Sequence, residues 1–110
     1  MDQAIPVLRV YDAPSAAAWY GRLGYEKEWE HRFGPTFPAF LSITRHGAAR
    51  LFLSEHHGDA PAGTLVYLQV ADVDAVAAEF GVEVLVQPWA REVHLTDPDG
   101  NRVRIGAPIP

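Results

Sequence analysis

The sequence predicts an α+β fold in which two tandem βαβββ modules form a curved mixed sheet. The first observation behind this is a repeat. VLRVYDAPSAAAWYG from Val7 and YLQVADVDAVAAEFG from Tyr67 align at a constant offset of 60 residues. Leu8 pairs with Leu68, Val10 with Val70, Asp12 with Asp72, Tyr20 with Phe80 and Gly21 with Gly81. Such self-similarity marks a supersecondary unit used twice. The second observation is that each copy passes from alternating apolar residues to an alanine-rich helical stretch. The third is turn chemistry at His46-Gly47 and across Asp97-Pro98-Asp99-Gly100, which closes hairpins between alternating runs.

Each element follows from local chemistry. Opening strands are expected over Ile5–Val10 and Leu65–Val70. Asp12 and Asp72 then stand where a helix N-cap accepts backbone N–H bonds, and Pro14 suits a first helical turn. Both helices are expected to stop at a left-handed glycine, Gly21 or Gly81. Three strands complete the first module, about Tyr25–Glu30, Phe37–Arg45 and Arg50–Ser54. The second module ends with about Val82–Val86, Arg91–Thr96 and Arg102–Ile105. The modules span about residues 1–55 and 64–110, joined by the turn-rich linker 56–63.

Composition narrows the function. The 110 residues suffice for one domain with a modest core, which makes association with a second copy reasonable. A net charge of −5 argues against a nucleic-acid surface. There is no cysteine, so disulfides, thiolate nucleophiles and Cys-ligated zinc are excluded. No stretch approaches membrane-spanning length and MDQAIPVLRV lacks a leader's pattern, so the expectation is a soluble cytoplasmic protein with no membrane partner.

Strand parity assigns two faces. Leu8, Val10, Leu68, Val70, Val93, Leu95, Val103 and Ile105 share the helix-covered side. Ile5, Val7, Arg9, Leu65, Tyr67, Gln69, Glu92, His94, Thr96, Arg102 and Arg104 point the other way, into the expected concavity. That second face is where a ligand would lie.

Paired modules and a closing DPDGN hairpin resemble the vicinal-oxygen-chelate superfamily of glyoxalases, extradiol dioxygenases and bleomycin resistance proteins. AIPVLRVYD, WYGRLGY, LFLSEHHGD and QPWAREVHLTDPDGN are most similar to segments of the resistance proteins. The resemblance covers nearly the whole chain and implies the glyoxalase/bleomycin resistance fold. It also implies a homodimer with ligand clefts between subunits, Pro6 standing where an N-terminal arm crosses to the neighbour. The superfamily's enzymes hold a divalent metal at positions that correspond to Ile5, Leu65 and Arg104. None of these side chains has a lone pair to donate. The expectation is therefore no metal, no cofactor and no catalytic residue.

The resemblance further implies that Trp89 lines the groove and stacks on a planar part of a drug, the reading preferred over a tryptophan that simply covers a sheet edge. Within WEHRFGPTFPAF, Phe33 and Phe37 are flanked by glycine and proline and suit a cup rim, whereas Trp29 and Phe40 are divided between cleft and core. Tyr67 brings a hydroxyl to the cup, and His94 reads as a polar contact rather than a general base. Arg104, with Arg9 and Arg102, adds positive charge that Glu92 can offset or that favours a partly anionic ligand. His56-His57 with Glu55 and Asp59 reads as a polar loop, not a metal cluster, and EKEWE as a solvated strand face. The resulting expectation is a metal-free binding protein, not an enzyme, that confers antibiotic resistance by sequestering a small aromatic or heteroaromatic drug of bleomycin type. A lyase or dioxygenase with relocated metal ligands, or a ligand sensor, is the alternative.

Overall fold

The computed structural model describes residues 2–109. The first module comprises β1 (Val7–Arg9), α1 (Ala13–Gly21), β2 (Tyr25–His31), β3 (Phe40–Arg45) and β4 (Ala48–Ser54). The second comprises β5 (Leu65–Gln69), α2 (Val73–Phe80), β6 (Leu85–Val86), β7 (Ala90–Thr96) and β8 (Arg102–Pro108). The mixed sheet is divided in two, ordered β1-β4-β3-β2 and β5-β8-β7-β6. In each half the opening strand runs parallel to the last, Leu8 opposite Leu53 and Leu68 opposite Ile105, while the remaining pairs are antiparallel. Both sheets therefore have the same order, as a duplicated unit requires.

The helix-covered faces form the core. Leu8, Val10, Leu53, Val93, Val103 and Ile105 are almost completely shielded from solvent. Asp12 Oδ1 accepts the Ser15 N–H and Asp72 Oδ1 accepts the Ala75 N–H, so both expected N-caps form. The helices end differently. Gly81 adopts the left-handed conformation at φ 65°, its N–H donating to the Ala77 carbonyl. α1 also ends at its glycine, Gly21, but without a positive φ; the left-handed residue is Gly24, φ 90°, at the end of a further turn. The extra turn carries Arg22 onto the second module. Its guanidinium lies 4.0 Å from the Phe80 ring centroid and its Nε is 3.1 Å from Glu79.

Several strands are shorter than alternation predicts. β1 starts at Val7, not Ile5, and β5 stops at Gln69. Phe37 precedes β3; its N–H is turned back to the Gly34 carbonyl, and Pro38 next to it has no N–H for a ladder. Val82 spends its N–H on the end of α2, so β6 keeps only Leu85–Val86. The His46-Gly47 turn has φ of 56° and 71°, positive at both central residues as a type I′ hairpin demands.

The DPDGN hairpin is more than a reversal, because it clasps the two modules. Asp97 Oδ1 accepts the N–H groups of Asp99 and Asn101, while Oδ2 accepts the Tyr20 hydroxyl of α1 at 2.8 Å. Asn101 donates Nδ2 to the Arg9 carbonyl at 2.9 Å and accepts the Thr64 N–H. Asp99 takes the Tyr11 N–H at 2.9 Å. Burial and the Asp97 carboxylate push the Tyr20 phenol far above its ordinary pKa.

Candidate ligand-binding faces

The two sheets present different chemistry on their helix-free faces. On the second, Glu92 of β7 is the hub. It is fully buried, at 0% exposure, although its neighbours on that face are not. Oε2 accepts the Tyr67 hydroxyl and the Trp89 indole N–H, each at 2.8 Å. Oε1 accepts Arg104 at 2.7 Å and His94 Nε2 at 2.9 Å. The Arg104 guanidinium first, then His94, holds the carboxyl down to about 2. An ionised Glu92 can only accept, so His94 carries its proton on Nε2. Partial burial and the same carboxylate raise the Tyr67 phenol above its ordinary range.

Gly106 of β8 makes this hub possible. It lies opposite Glu92 in the ladder, and the Tyr67 ring crosses its bare backbone. A Cβ there would stand 2.0 Å from the Tyr67 hydroxyl oxygen, so only glycine lets the phenol reach Glu92. The outcome is a tryptophan with its nitrogen tied down that is still 58% exposed.

The first sheet offers an aromatic floor. Trp29 stacks on Phe40 with centroids 6.0 Å apart and planes 16° apart, and it also meets Phe52 at 5.5 Å. Phe33, 77% exposed, sets its ring edge-to-face against His31 at 4.8 Å. Trp29, His31, Phe33, Phe40, His56 and Asp59 line an open cavity of about 490 Å³. Beside this floor Arg50 grips Glu28 through two nitrogens at 2.6 and 2.8 Å.

The donor set does not suit a metal. Leu65 and Arg104 offer no lone pair, and Glu92 already satisfies four donors with its two oxygens. Among the described residues no three His, Asp or Glu side chains converge as a metal site requires.

A protein-family model described as glyoxalase superfamily protein matches residues 1–108. The chain belongs to the glyoxalase superfamily. Within it, the likeness is to the bleomycin-binding and resistance proteins. TnmS3, an antibiotic-binding protein from Streptomyces sp. CB03234, is 25% identical with a TM-score of 0.77, and 98% of each chain is covered. The bleomycin-binding protein from bleomycin-producing Streptomyces verticillus, solved with copper(II)-bleomycin, is 30% identical with a TM-score of 0.67. That match covers 99% of this chain and 98% of the other. A bleomycin-binding protein solved with bleomycin shares the fold at 23% identity and a TM-score of 0.76. No match was found among curated proteins.

In this glyoxalase-superfamily chain the residues picked from sequence fall into three places. Trp89, Tyr67, His94 and Arg104 meet around Glu92. Trp29 and Phe33 share the aromatic cavity of the first sheet. Phe37 lies apart, in a recess with Arg9, Tyr11, Arg32, Glu55 and His57, so it does not pair with Phe33 at one rim. Within one chain the helix-free faces thus carry several recesses, including one shared by β4 and β5. Arg9 is corrected as well. At 6% exposure its guanidinium turns to the Val10 carbonyl and His57, so its charge sits in the Phe37 recess and not beside Glu92. Sequence reasoning missed Glu92 as organiser, Gly106 as its enabling gap, and the lining by His56 and Asp59; Phe40, left open between cleft and core, lines the cavity. A glycine interrupting an alternating strand was the available signal for close approach at Gly106.

Proposed function

We propose that the chain is a metal-free, non-enzymatic binding protein that sequesters a small aromatic or heteroaromatic molecule, a bleomycin-type or similar drug, and thereby confers antibiotic resistance in the cytoplasm. The observation that carries this is the anchored, open ring of Trp89. A fixed indole whose face is free is a stacking platform that loses little rotamer entropy when a planar guest lands on it. The antibiotic-binding neighbours support the reading. Protection is stoichiometric: a captured molecule does not reach its target, and no bond breaks.

The working unit is a homodimer. One chain leaves Trp29, Phe33, Leu65, Tyr67 and Trp89 exposed on its two helix-free faces. Juxtaposing the first-sheet face of one copy with the second-sheet face of another buries this apolar surface and encloses a cleft between copies. Sedimentation gives the mass of a dimer. Titration with bleomycin and a panel of planar aromatic metabolites quenches tryptophan fluorescence saturably, and the purified protein holds no stoichiometric Ni, Zn, Mn or Fe. A panel that leaves the emission unchanged, or one tightly held metal per chain, defeats the proposal.

A further inference from the structure

At the edge of the Glu92 hub, donors are left unspent. Leu65, His94, Leu95, Thr96, Arg102 and Arg104 line a recess of about 120 Å³. The ladder explains why they meet: Thr96 lies opposite Arg102, His94 opposite Arg104, and Leu65 opposite Arg102 from β5. Arg104 gives one amino nitrogen to Glu92, and its Nε is buried without a partner. The Arg102 side chain has no ion-pair partner among the described residues. Two guanidiniums against the single Glu92 carboxylate leave one positive charge over, and no carboxylate lines the recess itself. This surplus stands out in a chain of net charge −5.

The size narrows what fits. The recess exceeds the roughly 30 Å³ that one water occupies, yet it is far smaller than the aromatic cavity of the first sheet. It has room for an acidic oxygen group. The fork of an arginine matches a carboxylate through paired N–H donors, and the Thr96 hydroxyl adds another. Arg104 and Trp89 hold opposite oxygens of one carboxylate, so recess and stacking platform are rigidly linked.

We propose that the captured molecule is a planar aromatic acid: its carboxylate docks between Arg102 and Arg104 with the Thr96 hydroxyl, while its ring system lies across Leu65 and Tyr67 toward Trp89. This rests on the second-sheet face being the ligand site. The surplus charge then selects against cationic guests and for anionic ones.

The test uses the full chain and matched probes in calorimetric titrations: phenazine-1-carboxylate against phenazine-1-carboxamide, and anthraquinone-2-carboxylate against its carboxamide. Each acid binds at least tenfold tighter than its amide, and Arg102→Gln and Arg102→Glu collapse that ratio, the latter inverting it. Equal affinity of acid and amide in the wild type overturns the anion recess while leaving the aromatic platform standing. A ratio that survives both substitutions also overturns it. Binding of none of the four probes removes the recess and the platform together. A change in sedimentation of the Arg102 variants without a change in the ratio assigns Arg102 to the contact between copies and overturns the proposal.

Discussion

Asn101→Asp isolates the clasp between the modules, because the replacement keeps the shape and reverses two donors. In the native chain Asn101 is fully buried, with Nδ2 2.9 Å from the Arg9 carbonyl and 3.0 Å from Asp97 Oδ2. Aspartate still accepts the Thr64 N–H on one oxygen. Its other oxygen faces a carbonyl and a carboxylate, so both bonds become oxygen–oxygen contacts. Losing a neutral hydrogen bond costs about 1 kcal/mol and losing one to a charged group about 1.5–3 kcal/mol. Repulsion between the two acids adds to this, for a total of about 3–5 kcal/mol. That is a large share of the roughly 5–15 kcal/mol that holds a domain folded. At about 4 °C per kcal/mol for a chain of this size, the midpoint falls by about 12–20 °C. Thermal and urea unfolding at pH 7 read the loss directly. Asn101→Ala, which removes the bonds without the repulsion, falls less. A loss under about 1 kcal/mol for Asn101→Asp refutes the clasp as the joint between modules.

Further expectations concern the Glu92 hub and the titrating groups. Trp89→Ala weakens ligand binding more than tenfold, about 1.4 kcal/mol, with the unfolding midpoint nearly unchanged; unaltered affinity removes Trp89 from the site. Glu92→Gln puts an amide NH2 against two donors whichever way it turns, and neither the Trp89 N–H nor the Arg104 guanidinium can switch to accepting. Trp89 emission then shifts and binding weakens, and native emission with native affinity would contradict the hub. Glu92 and Glu28, each held down to about 2 by an arginine, give stability that is full above the ordinary carboxylate value of 4.5. It is lost as pH falls from there toward about 2, and Glu92→Gln flattens that acid limb in melting curves. Burial raises Tyr25 to about 12 and Tyr20 further, so their share of stability is complete below pH 10 and lost as pH climbs through 12.

The architecture was legible because each half states it twice. Asp12 and Asp72 cap, Leu8 and Leu68 pack, and the period changes at matching places. Gly21 misled only in its conformation: α1 ends there as expected, but unlike its counterpart Gly81 it is not left-handed, and the left-handed residue follows at Gly24. Parity placed Tyr67, Glu92, His94 and Arg104 on one face, and they do meet there. Parity cannot show that a phenol folded over Gly106 seals Glu92 from water, nor that Arg9 turns away to a carbonyl. Phe37 and Phe33 were grouped on their glycine and proline neighbours, which mark a loop but not where its side chains turn, and separate recesses receive them.

The indole of Trp89 has one proton to give, and Glu92 already holds it. On the proposed function, a visiting molecule therefore meets no hydrogen-bond grammar there, only a polarisable plane. Under that proposal flatness is judged and decoration is ignored, and discrimination among congeners that differ in hydroxyl or sugar substituents falls to other residues.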